Sequence, residues 1–126
     1  MGMAYRIMLC AADENLKAGR SVIVTATFSR KIYQQMVNDL LAKHTDAQLR
    51  AIWCLPKNDS DEEIERRLSR GFGDGGYVGG VNSLARYNQT KDRYEAIELF
   101  PALQLDTSPP NTAESCAEQA LGHILS

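Results

Sequence analysis

The sequence predicts an α/β fold in which one domain, residues 1–126, builds a parallel sheet covered by helices. Three short apolar runs have the length and composition of buried strands: Val22 to Thr27, Leu49 to Leu55 and Ala102 to Thr107. Stretches with apolar residues at three- and four-residue spacing separate these runs, as expected of amphipathic helices. Strands that alternate with helices pair in parallel through right-handed crossovers, which gives the predicted sheet three strands.

The first 44 residues predict a helix, the first strand and a second helix. Apolar residues recur at helical spacing from Ala4 to Ala18, and Gly19 stands where a left-handed residue commonly ends a helix. After the strand, Ser29 is placed to cap the next helix. The apolar stripe of that helix ends near Lys43 or His44.

The middle of the chain predicts the second strand, a third helix and a glycine-rich flap. Pro56 stops the strand, and the run Ser60 to Glu63 reads as a capping box with acidic residues at the positive end of the helix dipole. Three arginines lie near the other end of this helix, namely Arg66, Arg67 and Arg70. Six of the nine glycines follow between Gly71 and Gly80, which predicts a flap at 71–82.

The last third predicts two helices around the third strand. Ser83 is placed to cap a helix that continues to Tyr94. The strand Ala102 to Thr107 follows, and the spacing of apolar residues predicts a final helix from Asn111 to Leu125.

Composition excludes several classes of protein. With 44% apolar and 24% charged residues, the chain has the composition of a globular domain. Its net charge of -2 lacks the excess of basic residues that is typical of nucleic-acid-binding proteins. No apolar run approaches the roughly 20 residues that span a bilayer, and no signal-peptide pattern opens the sequence. We therefore expect a cytoplasmic protein without a membrane partner.

The cysteines and histidines predict no metal site. Cys10, Cys54 and Cys116 are far apart in sequence, and neither they nor His44 and His123 show the clustered spacing of metal ligands. We expect all three thiols to be reduced and structural, because free cysteines are usually buried.

Three motifs carry a resemblance to a family. A helix end followed by a strand reads Lys-Ala-Gly-Arg-Ser-Val-Ile-Val-Thr-Ala-Thr-Phe over residues 17–28, the third helix contains Arg67-Leu68-Ser69-Arg70, and the last strand ends in Asp106-Thr107-Ser108-Pro109. In this order the motifs resemble the C-terminal two thirds of small P-loop kinases of the zeta-toxin and polynucleotide-kinase-like, AAA-related type. The resemblance implies a three-layer parallel-sheet kinase-like fold, truncated at its N-terminus.

The resemblance also implies which residues form the site. Arg67 and Arg70 correspond to the lid cations that stabilise the transferred phosphoryl group, and Ser108 and Pro109 to the loop that passes the adenine. Thr25, Thr27 and Arg30 correspond to the side that binds the acceptor substrate. The implied cofactors are ATP and Mg²⁺.

The chain departs from the family pattern at two points. No Gly-x-x-x-x-Gly-Lys-[Ser/Thr] phosphate loop occurs in it, and Thr25 stands where the family has an acidic residue. A threonine neither accepts a proton as a carboxylate does nor binds Mg²⁺ with comparable charge. We therefore expect a nucleotide-binding domain that is incomplete, as a single chain, for phosphoryl transfer to a hydroxyl acceptor.

Two other functions are compatible with the residues. The chain could be a non-enzymatic interaction module that forms a homodimer, or takes up a complementing chain, through exposed sheet edges. Alternatively, it could be an unrelated small flavodoxin-like domain whose hydroxyls between Thr25 and Ser29 bind a phosphate.

Overall fold

The structure, a computed structural model, describes residues 2–70 and 83–126. These residues form five helices and two strands in the order α1 (Gly2–Lys17), α2 (Lys31–Lys43), β1 (Ala51–Leu55), α3 (Asp61–Arg70), α4 (Leu84–Lys91), β2 (Ala102–Asp106) and α5 (Ala113–Leu125). The predicted flap at 71–82 lies outside the described residues.

The predicted three-layer, kinase-like sheet of three strands is wrong. The described residues are mostly helical, and their sheet consists of β1 and β2 alone, paired in parallel. The run Val22 to Thr27 belongs to no strand. Its β-branched residues favour a strand-like backbone, but a strand also needs a neighbour to accept and donate its backbone hydrogen bonds, and propensity says nothing about that neighbour.

The described residues divide into two compact units. Unit 1 is drawn from Met1–Ala51 and Glu95–Ala102, and unit 2 from Ile52–Tyr94 and Leu103–Ser126. Each unit contains a pair of helices in contact, α1 with α2 in unit 1 and α3 with α4 in unit 2.

The end of α1 is formed as the sequence predicts. Gly19 has a φ of 75°, in the left-handed region that favours glycine. Its N–H donates to the Leu16 carbonyl at 3.0 Å, and the Arg20 N–H donates to the Asn15 carbonyl at 3.0 Å. This pair of bonds is a Schellman motif, which satisfies two carbonyls at the helix end and turns the chain out of α1.

One fully buried glutamine holds the two chain segments of unit 1 together. The Gln34 side chain is 0% exposed. Its amide nitrogen donates to the carbonyls of Phe28 at 3.2 Å and Ala96 at 2.9 Å, while its oxygen accepts from the N–H groups of Glu98 at 3.0 Å and Leu99 at 3.2 Å. All hydrogen-bonding capacity of this amide is therefore used within the unit.

The start of α2 differs from the prediction. Ser29 does not cap the helix, because Arg30 occupies the N-cap position and makes no side-chain capping bond. The first helical N–H, that of Lys31, instead donates to the carboxylate of Glu95 at 3.1 Å. A carboxylate at a helix N-terminus serves the same purpose as a capping hydroxyl, but sequence spacing cannot reveal one that is 64 residues away.

Unit 2 forms around the two strands and α3, with Ile64 and Leu105 buried. The Thr107 N–H donates to the Leu55 carbonyl at 3.0 Å just beyond the strands. Ser60 caps α3 by accepting from the Glu63 N–H at 3.3 Å, as predicted. The reciprocal half of the capping box is not formed, because the Glu63 carboxylate is bonded to arginines of its own helix.

The last two helices of unit 2 are also capped. Ser83 accepts from the Arg86 N–H and caps α4 as predicted, although α4 ends at Lys91 and not at Tyr94. Thr112 and Ser115 form a complete capping box at the start of α5. Among the described residues, no helix combines the length and the apolar character needed to cross a bilayer.

Candidate functional site

Two of the three resemblance motifs meet where the parallel strands of unit 2 end. Arg67 of α3 donates from Nη1 to the hydroxyl of Thr107 at 3.0 Å and from Nη2 to the Thr107 carbonyl at 2.6 Å. Thr107 lies between Asp106, the last residue of β2, and Ser108. We call Glu63, Arg67, Asp106, Thr107 and Ser108 the strand-end cluster.

A buried carboxylate holds the arginines of this cluster. Glu63 is 7% exposed. It accepts from Arg66 Nε at 2.8 Å and from Arg67 Nε at 3.0 Å. Hydrogen bonding from Arg66, and then from Arg67, lowers the pKa of Glu63 from 4.5 to about 2. The Arg67 guanidinium is therefore bonded on its Glu63 side and on its Thr107 side within the chain.

Asp106 and Ser108 tie the loop after β1 to the end of β2. The Asp106 carboxylate accepts from the N–H groups of Lys57 and Ser108, both at 3.0 Å, and from the Ser108 hydroxyl. The bond from the Ser108 side chain, followed by that from the Lys57 N–H, lowers the pKa of Asp106 from 3.8 to about 2. Ser108 is 2% exposed and also accepts from the Asn58 N–H at 3.3 Å. This geometry makes Ser108 a tether between two loops.

Acidic side chains and bonds within the chain surround the cation of the strand-end cluster. The first turn of α3 carries Asp61, Glu62 and Glu63, which complement the helix dipole but repel an anion. The guanidinium of Arg67 already faces a buried carboxylate, and the Ser108 hydroxyl is buried. Among residues 2–70 and 83–126, no three His, Cys, Asp or Glu side chains come together as ligands for a metal ion.

The other residues implied by the resemblance are divided between the two units. Pro109 is exposed and follows Ser108, whereas Arg70 ends α3 with its side chain outside the described part of the structure. Thr25, Thr27 and Arg30 belong to unit 1. Thr25 is exposed, and the Thr27 hydroxyl is hydrogen-bonded to the Tyr5 hydroxyl at 3.2 Å.

A second candidate feature lies in unit 1. Residues 21–27, which we call the unpaired segment, form neither helix, strand nor turn. Val22 and Val24 are half-buried while Ile23 and Thr25 are exposed, which is the alternation of a strand with one covered face. Ile23 is 93% exposed. Within the described parts of the chain, no backbone hydrogen bond joins this segment to another segment.

Both ends of the unpaired segment are anchored on α1. The Schellman motif at Gly19 fixes its beginning. At its end, the Phe28 N–H donates to the Tyr5 hydroxyl at 3.0 Å, and the Phe28 ring contacts the Tyr5 ring edge-on with centroids 5.4 Å apart. Phe28 has a φ of 44°, which ends the strand-like run because an L-residue rarely continues a strand from that conformation. The segment is thus held at both ends, and among the described residues no other segment pairs with its backbone.

Sequence analysis missed a side-chain hydrogen bond that joins α1 to the end of α2. His44 Nε2 lies 2.6 Å from an Asp13 carboxylate oxygen, and both side chains are largely buried. Hydrogen bonding with His44, and then with Lys17, lowers the pKa of Asp13. The four-residue spacing of Asp13 and Lys17 predicts their contact on one face of α1. The contact of Asp13 with His44, 31 residues away, cannot be predicted from the local sequence.

The thiols are free, as expected, but they are not uniformly buried. Cys10 and Cys54 are exposed, and Cys116 is half-buried with its Sγ 3.6 Å from the Asp106 carbonyl. The prediction that all three are structural core residues is therefore wrong for Cys10 and Cys54. Cys54 lies in β1, whose one neighbour among the described residues is β2, so part of this strand is uncovered. Cys10 lies on an exposed part of α1.

No family model matches the chain, and comparisons with curated proteins and with solved structures return no match either. The resemblance to small P-loop kinases therefore depends on the three motifs alone.

Proposed function

We propose that this protein is a non-enzymatic interaction module that binds a partner by pairing a strand with its unpaired segment. The observation that carries this proposal is the combination of strand-forming sequence, exposed Ile23 and a backbone over residues 21–27 that forms no hydrogen bond to another described segment. A strand that is added to such an edge gains main-chain hydrogen bonds along its length, while alternate side chains give specificity.

The anchors at both ends support this role. Because the chain is held on α1 at Gly19 and at Phe28, the segment does not have to be ordered from a free coil when it binds. A preformed segment therefore loses less conformational entropy on binding than a disordered one. Residues 21–29 carry no charge, which also favours strand pairing, because no charged side chain of this segment has to be buried when a partner strand binds.

Photo-crosslinking from position 23 tests the proposal. A photoreactive residue replaces Ile23, and the matched control replaces Ile32, which is 67% exposed on α2 of the same unit. We expect a crosslinked partner chain from position 23 in extracts of the cells that make the protein, and none from position 32. Equal labelling from both positions, or no labelling from position 23, would contradict the proposal.

Nucleotide binding is a second candidate, and one observation favours it: Arg67 lies against the Asp106–Ser108 turn, so two motifs of the resemblance do meet. Titration of Mg-ATP into the chain, repeated with Arg67→Ala/Arg70→Ala, decides this candidate. Saturable binding that the double substitution weakens would support it. Absence of saturable binding would contradict it, and the ion pair of Glu63 with Arg67 favours that outcome.

The compartment that we propose is the cytoplasm. The three free thiols Cys10, Cys54 and Cys116 support it, since cytosolic proteins keep their cysteines reduced.

A further inference from the structure

The partner of the unpaired segment has to meet several conditions. It must offer a strand that is itself exposed and lacks hydrogen-bonding neighbours, and it must be uncharged where it meets the neutral run of residues 21–27. Among the described residues of this chain, one stretch of that length combines these properties, and it is the unpaired segment itself. A second copy of the chain therefore meets these conditions.

We propose that two copies pair their unpaired segments antiparallel, with Val24 of each copy on the two-fold axis. This inference rests on the proposed function, because it names the partner that the same segment takes. A two-fold arrangement closes after two chains, whereas parallel stacking of the segments would continue without limit.

The burial pattern limits the register of this pair, and the midpoint of the strand-like run selects one of the registers that remain. In an antiparallel ladder, directly opposite residues project to the same face of the sheet. The half-buried Val22 and Val24 must share one face in both copies, so even-numbered residues oppose even-numbered ones. The strand-like run extends from Ser21 to Thr27, since Phe28 leaves the strand conformation, and its midpoint is Val24. Ile23 of one copy then lies opposite Thr25 of the other.

The charges that flank the segment are compatible with this register. The nearest charged residues are Arg20 and Arg30. With Val24 on the axis, Arg20 of one copy lies opposite Phe28 of the other, so no arginine opposes an arginine. The pair is small, because seven residues a side bury less than the roughly 1,600 Å² of a standard interface. We therefore expect a dimer with a Kd of about 1 µM to 1 mM.

Disulfide trapping tests both the partner and the register. The native thiols are first replaced (Cys10→Ser, Cys54→Ser, Cys116→Ser), and Ile23→Cys, Thr25→Cys and Ile32→Cys are made separately in that background. Opposite Cα atoms in an antiparallel pair are about 4.5–5.5 Å apart, within the reach of a disulfide, whereas a shift of two residues exceeds it. An equal mixture of the Ile23→Cys and Thr25→Cys chains should therefore form the mixed disulfide dimer roughly tenfold faster than either chain alone or the Ile32→Cys control.

Sedimentation of the unmodified chain over a concentration series accompanies the trapping and does not depend on any substitution. We expect a monomer–dimer equilibrium without larger species. A monomer up to about 1 mM, or a mixed disulfide that forms no faster than with Ile32→Cys, would overturn the inference. Fast trapping within Ile23→Cys alone and Thr25→Cys alone would also overturn it, because that result indicates parallel, in-register stacking. Crosslinking of a foreign chain from position 23 would in these cases still support the proposed function.

Discussion

The strand-end cluster and the unpaired segment differ in the partners of their hydrogen bonds. In the cluster, Asp106 and Arg67 bond to groups of the same chain. In the segment, the backbone of residues 21–27 makes no bond to another segment among the described residues. A group that is satisfied internally contributes to stability and has little left to offer a ligand, whereas an unsatisfied and exposed edge costs little in water and remains ready for a partner.

Hydrogen exchange should show this difference most strongly. In the dilute monomer, the amides of residues 22–27 should exchange at least about 100-fold faster than the amide of Thr107, which is bonded to Leu55 at 3.0 Å. Exchange measured residue by residue by NMR checks this expectation. Similar protection in both places would remove the contrast between the two regions.

Replacement of Gln34 should have the largest effect on stability. The substitution Gln34→Ala removes a fully buried side chain and leaves four backbone groups without their partner, so we expect the free energy of unfolding to fall by about 3 kcal/mol or more. Denaturant unfolding measures the change. The control Gln35→Ala removes an exposed amide of the same helix, and an equal loss in both variants would argue against the role of the buried amide.

A matched pair of hydroxyl deletions compares the two regions directly. Ser108→Ala removes a buried hydroxyl that is bonded to Asp106 and should cost about 2 kcal/mol of unfolding free energy. Thr25→Ala removes an exposed side chain of the unpaired segment and should change stability by less than about 0.5 kcal/mol. Equal costs in denaturant unfolding would show that the cluster is not the more tightly bonded region.

Acid should destabilise unit 2 in a defined range. The folded-state pKa values of Glu63 and Asp106 are about 2, below their ordinary values of 4.5 and 3.8. A depressed carboxyl pKa stabilises the fold above the ordinary value, and this contribution is lost as the pH falls toward the folded-state value. Stability should therefore decline between pH 4.5 and about 2. Glu63→Gln/Asp106→Asn should flatten the decline, whereas the exposed Glu62→Gln should leave it unchanged.

Local signals in the sequence predicted local structure well. Gly19, Ser60 and Ser83 act as the helix-end residues that the sequence indicates, because a cap depends on neighbours within a few positions. The strands at 51–55 and 102–106 lie within the predicted runs.

Tertiary pairing could not be predicted in the same way. The run Val22 to Thr27 has strand propensity without a strand partner, and the cap that Glu95 gives to α2 comes from a distant part of the chain. Arg67, one of the two arginines that the resemblance assigns to phosphate binding, is bonded to Glu63. The four-residue spacing of Glu63 and Arg67 in a helix allows this bond. The burial of the Glu63 carboxylate, which stabilises the bond, depends on the tertiary fold and has no local signal in the sequence.

The side chain of Gln34 has a consequence for the surface of unit 1. Its amide offers a donor to Ala96 and an acceptor to Glu98 and Leu99, which are the bonds that a neighbouring β-strand would offer. One side chain thus imitates a strand and blocks the backbone of residues 96–99 as a template for foreign chains. Under the proposed function, this protection of residues 96–99 restricts strand pairing with a partner to residues 21–27.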